Sequence, residues 1–215
     1  MRLGIAVLRI VIGVLFMGHG LQKLKGWFGG PGPEGTAQMF EGLGLRPGRR
    51  HASAAGMAET AGGACLAAGF LTPVAGATLT SVMGTAIHKV HGRNGPWNTS
   101  KGYEYNLVLI AALFGIADTG PGRLSADAAL GIERSGPAVA VAQLAAGLAG
   151  SAAAIAIAER AEAPDPQPEA APAPVPEAAP ARVEEREPYR PRFAQRGKPA
   201  TAESEQAEAE REASR

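Results

Sequence analysis

Four polar side chains that could take part in chemistry lie within otherwise apolar stretches of the sequence. They are Glu59, His19, His88 and Asn106. A carboxylate and two imidazoles can accept and release protons, and an amide can hold a polar ligand by hydrogen bonds. If these stretches cross a membrane, each ionisable side chain costs about 2.5 to 3.5 kcal/mol on insertion scales, which makes it a candidate site residue.

The apolar stretches have the length that membrane helices need. A span takes about 20 mostly apolar residues, and residues 3–22 meet this condition with Arg9 as the only charge. No charged residue occurs between Glu59 and Lys89, a gap of 29 residues. Pro73, near its middle, can end one helix and begin the next. We therefore predict a helical hairpin over residues 52–71 and 74–91, and a fourth span over 103–119.

The predicted fold is all-α, a membrane four-helix bundle. A secretory signal peptide is the alternative for the first span, but no small-residue cleavage site follows it. A soluble bundle would need a polar stripe on each helix, and these four segments have none. Residues 137–158 are rich in alanine and only weakly hydrophobic. They fit a fifth C-terminal transmembrane helix, which we favour, or a peripheral helix.

The chain divides by composition into a domain over residues 1–131, the candidate fifth helix within 132–158, and a tail over 159–215. The tail contains 9 basic residues, 13 acidic residues and 10 of the 17 prolines. Such a segment buries too little apolar surface to offset its chain entropy, so we predict a disordered tail. A formal net charge of +1 without a basic stripe gives no support for nucleic acid binding.

The two long connections, residues 26–51 and 92–102, are predicted to lie on one face of the membrane, because two helices separate them. This basic face collects most of the cationic residues: Lys23, Lys25, Arg46, Arg49, Arg50, Lys89, Arg93 and Lys101. It also collects aromatic residues suited to a membrane interface: Trp27, Phe28, Trp97, Tyr103 and Tyr105. The positive-inside rule then predicts a multi-pass protein of the bacterial cell membrane with the basic face in the cytoplasm.

The depths of the four polar side chains predict that they converge near this face. At about 1.5 Å per residue, Glu59 lies roughly 12 Å below the basic face and His19 roughly 6 Å, with His88 and Asn106 at similar shallow depths. Arg9 lies roughly 20 Å from that face, so a pair with Glu59 would require the helices to tilt or slip. A short helix over 36–44 presents Met39, Phe40 and Leu43 on one side, and we expect it to cap the polar group.

Simpler interpretations compete with a site. His19 and Lys23, four residues apart on one face, could extend to the membrane interface without forming a site. No HExxH motif, carboxylate cluster or CxxC pair indicates a metal, and we predict none.

Several runs resemble the DoxX family of bacterial membrane proteins over about residues 3–131. The first span contributes Arg9 and the run HGLQK at 19–23, and the following connection contributes GWFGGPG at 26–32. Glu59 with Gly62 and Gly63, the run GYEYNL at 102–107 and the run GPGRLS at 120–125 continue the similarity. The resemblance implies that residues 1–131 are a DoxX-like four-helix transmembrane domain.

The family is named after a small subunit of a thiosulfate:quinone oxidoreductase, and some members are linked to redox-stress complexes. The resemblance implies a subunit or anchor of a quinone- or sulfur-linked redox system. The catalytic residues would be Glu59, His19 and His88. The groups around a quinone headgroup or small sulfur compound would be Arg9, Lys23, Trp27, Tyr103 and Asn106. Since the sequence supplies no intrinsic redox group, electrons would need a quinone or a redox partner protein.

Two non-enzymatic hypotheses remain open at this point. A membrane scaffold or assembly protein would dock partners through its basic face and tail. A small permease would have a thin pathway unless the protein formed a homo-oligomer.

Overall fold

The computed structural model describes residues 3–161. Of these, 81% are helical and none is in a strand, which confirms the all-α prediction. The seven α-helices are α1 (Leu3–Lys25), α2 (Gly32–Gly42), α3 (Gly48–Ala68), α4 (Thr72–Ala86), α5 (Glu104–Thr119), α6 (Ala126–Ala129) and α7 (Pro137–Arg160). α4 continues into a π-helical turn, Ile87–His91. The predicted disordered tail lies outside the described residues from 162 onward.

The predicted hairpin is confirmed as α3 followed closely by α4. α3 ends on Gly69, whose φ of 66° is left-handed and therefore suits glycine. The amides of Gly69 and Phe70 close back onto the carbonyls of Leu66 and Cys65, an arrangement that commonly ends helices. Pro73 then occupies the first turn of α4, where no partner for its missing N–H is needed.

α1 packs against α3 through small residues. A Cβ added to Gly13 would lie 2.5 Å from the carbonyl oxygen of Gly63. One added to Gly20 would lie 2.6 Å from the carbonyl oxygen of Gly56. Two turns of α1 therefore contact the backbone of α3 directly, a form of packing that holds helices together where lipid removes the hydrophobic drive between them.

α7 packs against α4 in the same way. The small-residue stripe of α4 contacts α7 turn by turn: Gly76 lies against Gln143, Thr80 against Gly147, and Gly84 against Ser151. The order of these contacts makes the two helices parallel. A hydrogen bond of 3.1 Å joins the hydroxyls of Thr85 and Ser151, and an ion pair of 3.4 Å joins Lys89 to Glu159. α7 is thus an integral part of the helical core, and its C-terminus lies at the basic face.

Polar side chains are buried beside the apolar core, and many large apolar side chains are exposed. Buried polar or charged side chains include Arg9, Glu59, Thr80, Asn106, Asp127, Gln143 and Ser151. Exposed large apolar side chains include Val7, Val11, Val14, Leu107, Val108, Val141, Leu148 and Ile157. Buried polar groups and extended exposed apolar surface are the informative departures from ordinary globular packing. Among the described helices, α1 and α7 are long and apolar enough to cross a membrane.

Candidate functional site

A cavity of about 510 Å³ lies among α1, α3, α4 and α5. Its walls are largely apolar, with Ile12, Phe16 and Leu109 among the lining residues. α2 covers one side with Met39, Phe40 and Leu43, as the sequence predicted for this short helix. The polar side chains in the wall come from α1, α3, α4, α5 and the π-helical turn, so the cavity combines an apolar body with a few polar groups. This combination is typical of sites for small ligands.

The Lys23 ammonium and the Glu59 carboxylate form an ion pair in the cavity wall. Lys23 Nζ lies 2.6 Å from Glu59 Oε2, and the two side chains are only 19% and 4% exposed. Lys23 Nζ also lies 3.4 Å from the carbonyl oxygen of His19. A short, charge-assisted hydrogen bond of this kind is stronger than a neutral one. The bond depends on the close approach of α1 to α3, since Gly20 and Gly56 bring Lys23 within reach of the opposite helix.

Three histidines line the cavity: His19 on α1, His51 on α3 and His91 in the π-helical turn. Each has one ring nitrogen bonded to an oxygen. His19 Nδ1 is 3.1 Å from Gln22 Oε1, His51 Nε2 is 3.2 Å from the Arg46 carbonyl, and His91 Nδ1 is 2.8 Å from the Lys101 carbonyl. Because a carbonyl or amide oxygen only accepts, the bonded nitrogen of each ring carries the proton.

Asn106 is buried in the wall formed by α5. Its Nδ2 donates to Met83 Sδ at 3.3 Å, which fixes the amide against α4. The structure therefore brings together four of the predicted site residues, Glu59, His19, Lys23 and Asn106.

His88 does not line the cavity, contrary to its predicted convergence with Glu59. Its side chain is exposed. It continues the stripe of Gly76, Thr80 and Gly84, which faces α7 rather than α3. The π-helical turn instead directs Lys89, Val90 and His91 to the cavity. Short π-helical segments occur mainly as single turns and often at functional sites.

Arg9 also lies away from the cavity and does not pair with Glu59. Its guanidinium donates to four backbone carbonyls, those of Leu66, Ala67, Pro121 and Leu124. Carbonyls left free where α3 ends and in the 120–125 loop thus provide the acceptors that a buried cation requires. The large depth of Arg9 below the basic face, predicted from its position in α1, agrees with this placement.

Trp27 and Tyr103 are not part of the cavity wall. Trp27 lies in a short 3₁₀ turn with 56% of its surface exposed. Tyr103 immediately precedes α5. Tyr105, two residues further along, lines the cavity in its place.

Sequence reasoning missed Asp127, whose carboxylate is fully buried. Its oxygens accept hydrogen bonds from the amides of Leu71 and Thr72 and from the Thr72 hydroxyl, at 2.7 to 2.9 Å. The available signal was local: Ser125 caps α6 by accepting from the Ala128 amide, which places Asp127 in a first helical turn. Nothing in that pattern identifies the distant α4 as the partner.

Residues 4–92 match the family model of DoxX. Over this segment the chain is similar to the DoxX family. The matched range contains α1 to α4 and the π-helical turn, and with them the Lys23–Glu59 pair and all three cavity histidines. It ends before Asn106, Asp127 and α7. No curated protein and no solved structure matches the chain. DoxX is a family of membrane proteins, and the two long apolar helices, α1 and α7, agree with this similarity.

Proposed function

We propose that this protein is a multi-pass protein of the cell membrane, with α1, α3, α4, α5 and α7 crossing the bilayer together. Support comes from the exposed apolar side chains on α1, α5 and α7 and from the buried Arg9, Glu59 and Asn106. α5 has 16 residues, about 24 Å at 1.5 Å per residue, somewhat less than a hydrocarbon core of about 30 Å. A short helix of this kind can be accommodated by local thinning of the bilayer.

We further propose that the cavity binds the headgroup of a membrane quinone and that the protein is a subunit or anchor of a membrane redox system. The observation that carries this proposal is the Lys23–Glu59 ion pair in the wall of a largely apolar cavity. The cavity volume of about 510 Å³ is within the range of small-ligand sites. The polar oxygens on the flat ring of a quinone suit the Lys23–Glu59 pair, and its apolar tail suits the apolar walls.

The residues of the cavity would divide the work of binding and proton transfer. Lys23 donates a hydrogen bond to a ring oxygen. Glu59 accepts a hydrogen bond from a ring hydroxyl of the reduced ligand and can take up its proton. His19 is exposed and lines the same cavity, so its imidazole is the group proposed to relay protons between this pair and water. A bound quinone supplies the two-electron chemistry, and a partner redox protein supplies or receives the electrons.

Purification in mild detergent with native lipid, followed by solvent extraction and mass spectrometry, tests this function. We expect quinone to co-purify with the unaltered protein and to be lost from Glu59→Gln. Glu34→Gln is the matched control, because the Glu34 side chain is 71% exposed and its ion pair within residues 3–161 is with exposed Arg49. Absence of quinone from the unaltered protein in native lipid would reject the quinone site.

A second candidate, a membrane scaffold, is favoured by the exposed basic face. Arg49, Arg50 and Arg93 are exposed there, as is Trp97. The same purification separates the two functions: a quinone-free protein that retains a partner, and loses it when residues 162–215 are deleted, would support the scaffold. Deletion of that segment should leave quinone binding by the helical core intact.

A further inference from the structure

We infer that the cavity binds an amphipathic anion, a single apolar chain with a phosphate or carboxylate headgroup, and that Lys89 is the cation that contacts the headgroup. This inference goes beyond the proposed function, because it assigns the same cavity a second class of ligand, which would compete with quinone. It follows from the charges in the cavity wall and from the direction in which the apolar part of the wall extends.

The side chains of the cavity wall carry more positive than negative charge. Lys23 and Lys89 both line the cavity, together with the three histidines. Among the described residues that line it, Glu59 is the single carboxylate, and Lys23 already neutralises this carboxylate at 2.6 Å. Within residues 3–161, Lys89 is therefore left without an anionic partner in the cavity wall.

The ion pair that Lys89 forms with α7 is weaker than the Lys23–Glu59 pair. Lys89 Nζ is 3.4 Å from Glu159 Oε1, and the Glu159 side chain is 60% exposed, whereas that of Lys89 is 15% exposed. Such a pair contributes little, because water screens the exposed carboxylate. An ammonium group has three N–H donors, so Lys89 can also bind an anion that lies in the cavity. Glu159 would then compete with the ligand for the same cation.

The apolar part of the wall extends away from the basic face, where Lys89 lies in the turn that follows α4. Ile12 of α1 lines the cavity and precedes Lys23 by eleven residues, a distance of about 16 Å at 1.5 Å per residue. Phe16 and Leu109 line the same part of the wall. A ligand with its charge at Lys89 and its chain along α1 would thus have suitable surroundings at both ends.

Charge distinguishes this ligand from a quinone. A quinone is neutral, and the proposed contacts of its ring with Lys23 and Glu59 do not involve Lys89. A phosphate or carboxylate would form a charge-assisted hydrogen bond with the Lys89 ammonium. The hydroxyls of Ser81 and Tyr105 are further donors in the wall. A hydrogen bond between charged groups predicts about 10- to 100-fold tighter binding than that of an uncharged analogue of the same shape.

Native mass spectrometry of the full-length protein in a non-ionic detergent tests the inference with matched probes. Octyl phosphate and octanoate carry both charge and chain, the dimethyl ester of octyl phosphate lacks the charge, and inorganic phosphate lacks the chain. We expect the two charged amphiphiles to bind about 10- to 100-fold more tightly than the other probes. In Lys89→Gln this preference should fall to about threefold or less. Lys25→Gln should retain it, because Lys25 is exposed and is not part of the cavity wall.

Glu159→Gln separates a binding role of Lys89 from a purely structural one. Removal of the competing carboxylate should tighten the binding of octyl phosphate about 2- to 5-fold, and unchanged or weaker binding would contradict the role of Lys89. Equal binding of octyl phosphate and its dimethyl ester to the unaltered protein would overturn the inference, even if Lys89→Gln fails to fold. Inorganic phosphate bound as tightly as octyl phosphate would also overturn it, because the apolar wall would then have no role. The quinone proposal keeps its separate test by co-purification.

Discussion

Arg9 and Asp127 contact, with opposite charges, the two helix ends that meet at the turn between α3 and α4. The guanidinium of Arg9 donates to the carbonyls of Leu66 and Ala67 in the last turn of α3. The carboxylate of Asp127 accepts from the amides of Leu71 and Thr72 where α4 begins, at 2.7 and 2.9 Å. A helix carries partial negative charge at its C-terminus and partial positive charge at its N-terminus. Each buried side chain therefore has the charge that suits the helix end it contacts.

Asp127→Asn should destabilise the protein by about 1.5 to 3 kcal/mol, because the substitution removes charge-assisted hydrogen bonds and the nearby negative charge that favours Arg9. Thermal unfolding followed by circular dichroism in a fixed detergent measures the effect. Glu133→Gln is the control, since the Glu133 side chain is exposed in the loop before α7. If the two variants melted at the same temperature, the charge-based account of the hairpin would be wrong.

Two glycine substitutions should have opposite effects on stability. A Cβ on Gly147 would lie 2.6 Å from the Thr80 side chain and 2.9 Å from the Ala77 carbonyl, whereas one on Gly115 would meet nothing within 4 Å. Gly147→Ala should therefore cost about 1 to 3 kcal/mol by separating α4 from α7. Gly115→Ala should stabilise α5 by about 0.5 to 1 kcal/mol.

The same melting assay in detergent compares the two glycine variants. An unchanged or higher melting temperature for Gly147→Ala would show that α7 does not pack on α4 as described. Gly115→Ala controls for the general effect of replacing a helical glycine.

The positions of the helices were predictable because charges and prolines mark where apolar segments end. The gap between Glu59 and Lys89, divided at Pro73, was sufficient to predict α3 and α4. The partner of a helix is harder to predict, because a stripe of small residues fits any closely packed neighbour. The spacing of Gly76, Thr80, Gly84 and His88 is visible in the sequence, but the contact of this stripe with α7 required the three-dimensional arrangement.

The candidate site was predictable only in part, for a related physical reason. Depth along a helix correctly grouped Glu59, His19 and Asn106, since rise per residue is nearly constant. The direction in which each side chain points around the helix axis is harder to predict than its depth. The π-helical turn changes this direction locally, so that His91 lines the cavity. The acceptors of Arg9 are backbone carbonyls, which side-chain patterns cannot identify.

Lys23 and Glu59 should show strong energetic coupling. Lys23→Gln leaves the Glu59 carboxylate without its cation, and Glu59→Gln leaves the ammonium without its anion, so each change should cost about 1.5 to 3 kcal/mol. The double variant removes both charges and should cost less than the sum of the two single changes. A double-mutant cycle from melting measurements should yield a coupling of about 1 to 2 kcal/mol. Additive costs would mean that the pair does not form in the folded protein.

His91 and His88 provide a direct test of which face of the π-helical turn binds ligand. His91 lines the cavity and holds its proton on Nδ1 through the Lys101 carbonyl, whereas His88 is exposed outside it. His91→Ala should weaken hydroquinone binding about 3- to 10-fold, as expected for one neutral hydrogen bond, and His88→Ala should leave it unchanged. Titration of both variants with a short-chain hydroquinone in detergent measures the difference. A larger loss in His88→Ala than in His91→Ala would mean that the ligand binds beside the α7-facing stripe of α4 and not in the cavity.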